Sequence, residues 1–148
     1  MREKYRKAVF VVVYSKKDNK IEYLILKRKL HWKGWEFVKG GINFDETYKH
    51  AVQRETKEET GLVPLKRKIK KFNFSGKYRY KKRFRDRTGI MGQTFSLYAA
   101  EVKRGKVKID KKEHSGFKWL PFEDAVKKVR FPNQKKSLRI VNEWLKGK

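Results

Sequence analysis

Residues 40–62, GGINFDETYKHAVQRETKEETGL, decide how the rest of the chain is read. The protein has 42 Lys and Arg against 16 Asp and Glu, yet Glu55, Glu58 and Glu59 crowd into five positions, with Glu46 just upstream. The stretch predicts a helix over residues 45–60. Asn43 or Asp45 can cap its start, Glu46 suits the positive end of its dipole, and Gly61 can close it in the left-handed conformation. At 100° per residue the three glutamates share one arc of ~100° with Tyr48, Ala51 and Val52, so they point where the apolar stripe points. Like charges at i,i+4 repel, and burial raises carboxylate pKa values. A divalent cation removes both penalties, and oxygen ligands without cysteine suit Mg²⁺ or Mn²⁺. The other reading is an exposed acidic face paired with the many lysines.

The same segment resembles the signature of the Nudix hydrolases: G, five residues, E, seven residues, then R-E-U-x-E-E-x-G-U, with U aliphatic. Gly40, Glu46, Arg54, Glu55, Glu58, Glu59, Gly61 and Leu62 fall at its positions. Thr56 departs from the first U, as it does in some diadenosine tetraphosphate hydrolases. The likeness extends outward along most of the chain. The run WEFVKGGI at 35–42 is similar to the W-x-F/M-P-x-G-G-I run of RNA pyrophosphohydrolases and plant-type diadenosine polyphosphate hydrolases, with Val38 in place of proline. Residues 78–82, Gly92-Gln93 and EHSGFKWL at 113–120 look like further segments of that branch, in the right order.

Length and composition bound the rest. A chain of 148 residues with 38% hydrophobic and 14% aromatic residues is expected to form one domain over 1–148, burying about two thirds of its unfolded surface. No apolar run approaches a membrane span, and no targeting core follows Met1, so the expected setting is cytoplasmic with no membrane partner. The absence of cysteine excludes disulfides and thiol nucleophiles. A net charge of +26 suits polyphosphate and RNA ligands, or a merely basic solvated surface; charge alone does not choose.

Elsewhere the pattern predicts strands at 7–14, 22–28, 35–39, 65–75, 93–103 and 117–120. Helices are predicted over 121–129, with Pro121 as the first residue, and over 133–145. Residues 76–92 read as a basic, aromatic hairpin or active-site loop. Mixed strands with a helix between them and helices at the end indicate an α+β fold. The resemblance sharpens this to the Nudix fold, an α/β/α sandwich around a mixed sheet.

The resemblance also implies roles. Glu55, Glu58 and Glu59 would hold Mg²⁺ (or Mn²⁺), joined by the backbone carbonyl of Lys39 and by Glu113 from a distant loop. Glu55 or Glu59 would lie near the proton of the attacking water, and Glu113 is a further candidate ligand or base. Gly40 and Gly41 would allow close backbone approach, Arg54 would orient a box carboxylate, and Glu46 would anchor the loop. Tyr78 and Phe131 are candidates for stacking on a purine, and Lys82 and Arg83 for contacting outer phosphates. His114 reads as a surface histidine, and Trp32, Trp35, Trp119 and Trp144 as packing residues. The implied activity is hydrolysis of a P–O–P bridge in a nucleoside polyphosphate, first diadenosine tetraphosphate to ATP and AMP. RNA 5′ pyrophosphohydrolysis is the alternative. A non-catalytic RNA-binding domain would not need the intact carboxylate set.

Overall fold

A computed structural model describes residues 4–80 and 89–147. Ten elements follow in order: β1 (Lys4–Lys17), β2 (Lys20–Arg28), β3 (Gly34–Glu36), β4 (Val38–Gly41), α1 (Tyr48–Thr60), β5 (Pro64–Arg79), β6 (Ile90–Val102), β7 (His114–Leu120), α2 (Phe122–Lys128) and α3 (Pro132–Lys146). The β-branched run of β1 makes it the centre of a mixed sheet. One edge of β1 pairs in parallel with β6 from Lys4 to Tyr14. The other edge is shared: Tyr14–Lys17 pair with β2, and Ala8–Val11 pair with β4. β3 and β7 extend the sheet from β2, and β5 closes it beyond β6.

Alternation along β1 divides the core. Phe10, Val12 and Tyr14 face Ala125, Val129, Leu138, Val141 and Leu145 of the α2–α3 region. Val9, Val11 and Val13 face Ala51 and Val52 of α1. The sheet is thus covered on both faces, the α/β/α arrangement that the Nudix resemblance implies.

Several boundaries differ from the sequence reading. The α1 cap is Thr47, whose hydroxyl accepts from the His50 N–H at 3.1 Å; Asn43 and Asp45 lie outside the helix. Gly61 ends α1 at φ 75°. β5 continues through Arg79 because Lys77, Tyr78 and Arg79 pair with Thr94, Gln93 and Gly92, so most of the expected loop start is strand. β7 begins at His114, three residues early, because His114 pairs with Arg28. Pro121 caps α2 from an extended conformation and is not its first helical residue. Thr47→Ala should lower stability by about 1 kcal/mol, measured by denaturant unfolding, since it orphans one helix-end donor. A change below ~0.3 kcal/mol would show that tertiary packing alone holds the start of α1.

Candidate metal centre and nucleotide cavity

α1 presents Glu55 and Glu59 to β4 around Gly40. A Cβ on Gly40 would lie 2.0 Å from the Glu55 carboxyl carbon, so only glycine admits that side chain here. Glu59 reaches the same strand, where its Oε2 accepts from the Lys39 N–H at 3.2 Å. Arg54 ties the approach together. Its Nε and Nη2 donate to the two Glu46 oxygens at 2.7 and 2.8 Å. The same guanidinium donates to the Gly41 carbonyl at 2.8 Å and to Glu55 Oε1 at 2.7 Å. A bidentate, charge-assisted pair of this kind fixes geometry as well as charge.

The three box glutamates are not equivalent. Glu55 and Glu59 are buried, but the Glu58 side chain is 56% exposed and touches Arg54 only at 3.3 Å. Not all three therefore point with the apolar stripe, and the helix geometry overstated their shared burial. Tyr48 is likewise 41% exposed. Burial, outweighing the Arg54 contacts, pushes the Glu55 carboxyl up to about 7. Burial, reinforced by Glu36 and Glu55, raises Glu59 well above the usual carboxylate range. The charge of Glu113, half-buried ahead of β7, pushes both in the same direction. Glu46 behaves oppositely: the Arg54 hydrogen bonds hold it down at about 2.

Behind Glu59 lies a buried group of charges that the sequence reading did not find. Glu36 and His114 are both fully buried, which corrects the surface placement of His114. His114 Nε2 lies 2.8 Å from Glu36 Oε2 and 3.8 Å from Glu59 Oε1. A carboxylate only accepts, so Nε2 carries the proton. Arg28 donates to the same Glu36 oxygen at 3.2 Å, and the Lys39 ammonium stands 3.5 Å from the other. Burial opposes ionisation of Glu36, yet Lys39, the His114 hydrogen bond and Arg28 hold its pKa low. Ligand atoms of Glu36, Glu59 and His114 lie within 4.8 Å of one another. Glu36 Oε1 and Glu59 Oε1 are both buried acceptors without a hydrogen bond among the described residues, but Glu36 has Arg28 and Lys39 as counter-charges. The shortage of positive charge is on the Glu55–Glu59 side, and a hard divalent cation fits there.

Arg28, which bonds Glu36, and Lys39, whose N–H bonds Glu59, also line a cavity of about 740 Å³. Its walls include Tyr78 and Phe131 together with Trp32, Tyr80, Arg79 and Arg130. Trp32 meets Phe131 edge-on at 4.7 Å and is a wall residue, not simply edge packing. Gln93 holds the opposite wall by donating to the Tyr78 hydroxyl at 2.7 Å and accepting from the Tyr80 hydroxyl at 2.9 Å. Lys82 and Arg83 lie outside the described residues. Apolar and aromatic walls with a few cations suit a nucleoside carrying phosphates.

Residues 4–141 match the NUDIX domain family. An RNA pyrophosphohydrolase of a Nitratiruptor species is 30% identical over 135 residues, 88% of this chain and 86% of that protein. One from Xanthomonas campestris pv. campestris is 40% identical over 53 residues, only 36% of this chain and 24% of that protein. Among solved structures, a C. elegans Ap4A hydrolase binary complex superimposes with TM-score 0.77 at 26% identity, covering 97% of this chain and 99% of that one. The NUDIX domain of Shewanella oneidensis NrtR complexed with ADP ribose has TM-score 0.74 at 19% identity, over 95% and 88% of the two chains, and shares the fold.

The opposed pKa shifts have a measurable consequence. Glu36, held low, contributes stability above the usual carboxylate pKa that is lost as pH falls. Glu55, raised to about 7, does the reverse: without a cation it costs stability as pH climbs from the carboxylate range through 7. Mg²⁺ or Mn²⁺ should therefore raise Tm more at pH 8 than at pH 5.5 in thermal unfolding, and an equal shift would place the cation elsewhere. Glu36→Gln should cost about 3–5 kcal/mol by stranding Arg28 without its counter-charge. Denaturant titration checks this, and a loss under ~1 kcal/mol would mean the buried group is well hydrated.

Proposed function

This chain belongs to the Nudix hydrolase family, and on that premise we propose that it is a divalent-cation-dependent pyrophosphohydrolase of dinucleoside polyphosphates, cutting diadenosine tetraphosphate to ATP and AMP. The observation that carries the reading is the junction of Glu59 with the aromatic cavity through Lys39, whose N–H bonds Glu59 and which lines the cavity. Glu55, Glu58 and Glu59 hold the cation, Mg²⁺ or Mn²⁺, with the Lys39 carbonyl and Glu113 as further ligands. When bound, it neutralises phosphate charge and activates water for attack at phosphorus. Glu55 or Glu59 takes the proton of that water. Arg54 keeps Glu55 oriented, and Glu46 anchors Arg54.

Tyr78 and Phe131 stack on one adenine, with the Gln93 hydrogen bond setting the tilt of Tyr78. Arg79, Arg130 and Lys39 meet the polyphosphate, and Lys82 and Arg83, outside the described residues, are kept from the sequence as candidates for the outer phosphates. The cytoplasm, where such nucleotides are found, is the setting of this reading. The structural similarity to the C. elegans Ap4A hydrolase over nearly the whole chain supports it.

A second reading, RNA 5′ pyrophosphohydrolysis, is favoured by the relative of that name and by the cationic cavity walls. A competition assay separates the two by offering diadenosine tetraphosphate and 5′-triphosphorylated RNA together with Mg²⁺. Preferential release of ATP and AMP is the expected outcome; faster release of diphosphate from RNA would overturn the substrate assignment. Glu59→Gln should lower kcat at least a hundredfold. Phe131→Ala should raise KM about tenfold with a smaller effect on kcat, as loss of a stacking partner does. Steady-state kinetics check both, and an unchanged KM would remove Phe131 from the base site.

A further inference from the structure

α1 covers only part of its face of the sheet. Beyond its first residue, Tyr48, the sheet continues as a shallow cavity of about 380 Å³ lined by Lys7, Ser75, Lys77, Thr94 and Ser96 among others. This face is opposite the nucleotide cavity. On β5, Tyr78 pairs with Gln93 on the reaction side, so its neighbour Lys77, paired with Thr94, points the other way. The lining includes no acidic residue. β5, an edge strand, contains seven Lys or Arg residues and no Asp or Glu over its 16 positions.

Aromatic rings interleave with these cations. The Lys77 ammonium lies 4.1 Å from the Tyr5 ring centre, and that of Lys71 lies 5.3 Å from the Tyr48 ring. The Ile42 N–H donates to the Lys7 carbonyl at 2.9 Å, and two residues further along that loop Phe44 is 95% exposed.

We propose that this uncovered half-face is a binding surface for single-stranded nucleic acid, separate from the reaction cavity. Lys7, Lys71 and Lys77 meet successive phosphates, and Ser75, Ser96 and Thr94 supply hydroxyl donors to the backbone. Phe44 and Tyr48 offer π-faces to unpaired bases, which stack without regard to sequence. Hydroxyls and rings among the lysines favour a nucleic acid over an anionic lipid surface, which needs charge alone.

The test uses the full chain in EDTA and a labelled 12-nucleotide single-stranded RNA with a 5′-hydroxyl, which has no 5′ phosphate chain to hydrolyse. Fluorescence anisotropy should show the Lys7→Gln, Lys71→Gln, Lys77→Gln triple variant binding about tenfold more weakly at 50 mM salt. The salt slope should fall by about 2, at ~0.7 for each phosphate no longer neutralised. A control triple in the β1–β2 hairpin, Lys16→Gln, Lys17→Gln, Lys20→Gln, should stay within about twofold. Phe44→Ala should weaken binding with the slope unchanged. Equal losses in both triples would reduce the effect to diffuse charge and overturn the proposal. So would displacement of the RNA by excess diadenosine tetraphosphate, which would put it in the reaction cavity. Loss of binding to phosphatidylserine vesicles without loss of RNA binding would overturn it in favour of a membrane surface.

Discussion

The arrangement of this protein depends on one edge of β1 having to serve two partners. β6 occupies the other edge along nearly the whole strand, so β2 and β4 share what remains and diverge. The chain crosses the gap between them at Glu36-Phe37-Val38, from pairing with β2 to pairing with β1. A sheet cannot leave unpaired polar groups in such a gap at low cost. Here the opening is filled by Arg28, Glu36 and His114, and Glu59 enters it from α1. Arg28, which bonds Glu36, and Lys39, whose N–H bonds Glu59, connect this opening to the aromatic cavity.

Two kinds of carboxylate follow from that geometry. Glu36 and Glu46 each have arginine donors close by, and their pKa values are held low. Glu55 and Glu59 are buried and less fully compensated, and burial raises theirs. Arg54 and Arg28 therefore have a positioning part: Arg54 gives two donors to Glu46 and one to Glu55, and Arg28 pairs with Glu36, so the central pair is only partly compensated. The fixed first group gives the second a rigid frame, as a preorganised ion site requires.

The two faces of β5 carry different chemistry because the side-chain period of a strand is two. Phe72, Phe74 and Tyr78 pack toward α3 and the cavity. Lys71 and Lys77 project to the face that α1 leaves partly open. One basic, aromatic strand thus contributes a wall to the aromatic cavity and an edge to a separate cationic surface. In the sequence these residues run together as a single charged segment.

The features legible in the chain before folding were local or periodic. The spacing of Gly40, Glu46, Arg54, Glu55, Glu58, Glu59 and Gly61 was enough to indicate the family, because its resemblance to the Nudix signature lies within one short segment. The β-branched run of β1 and the apolar stripe of α3 likewise announce buried elements through their periods. Which charges are buried together emerged only from the folded arrangement. Glu36 and His114 are 78 positions apart, and each alone is an ordinary polar residue. They meet because β3 and β7 both pair with β2, a pairing that no local period encodes. The unequal exposure of Glu55, Glu58 and Glu59 was also undetermined, since an arc of a helix does not say how far the neighbouring strand covers it. Burial is set by what packs against a residue, and for these residues that is chain from elsewhere.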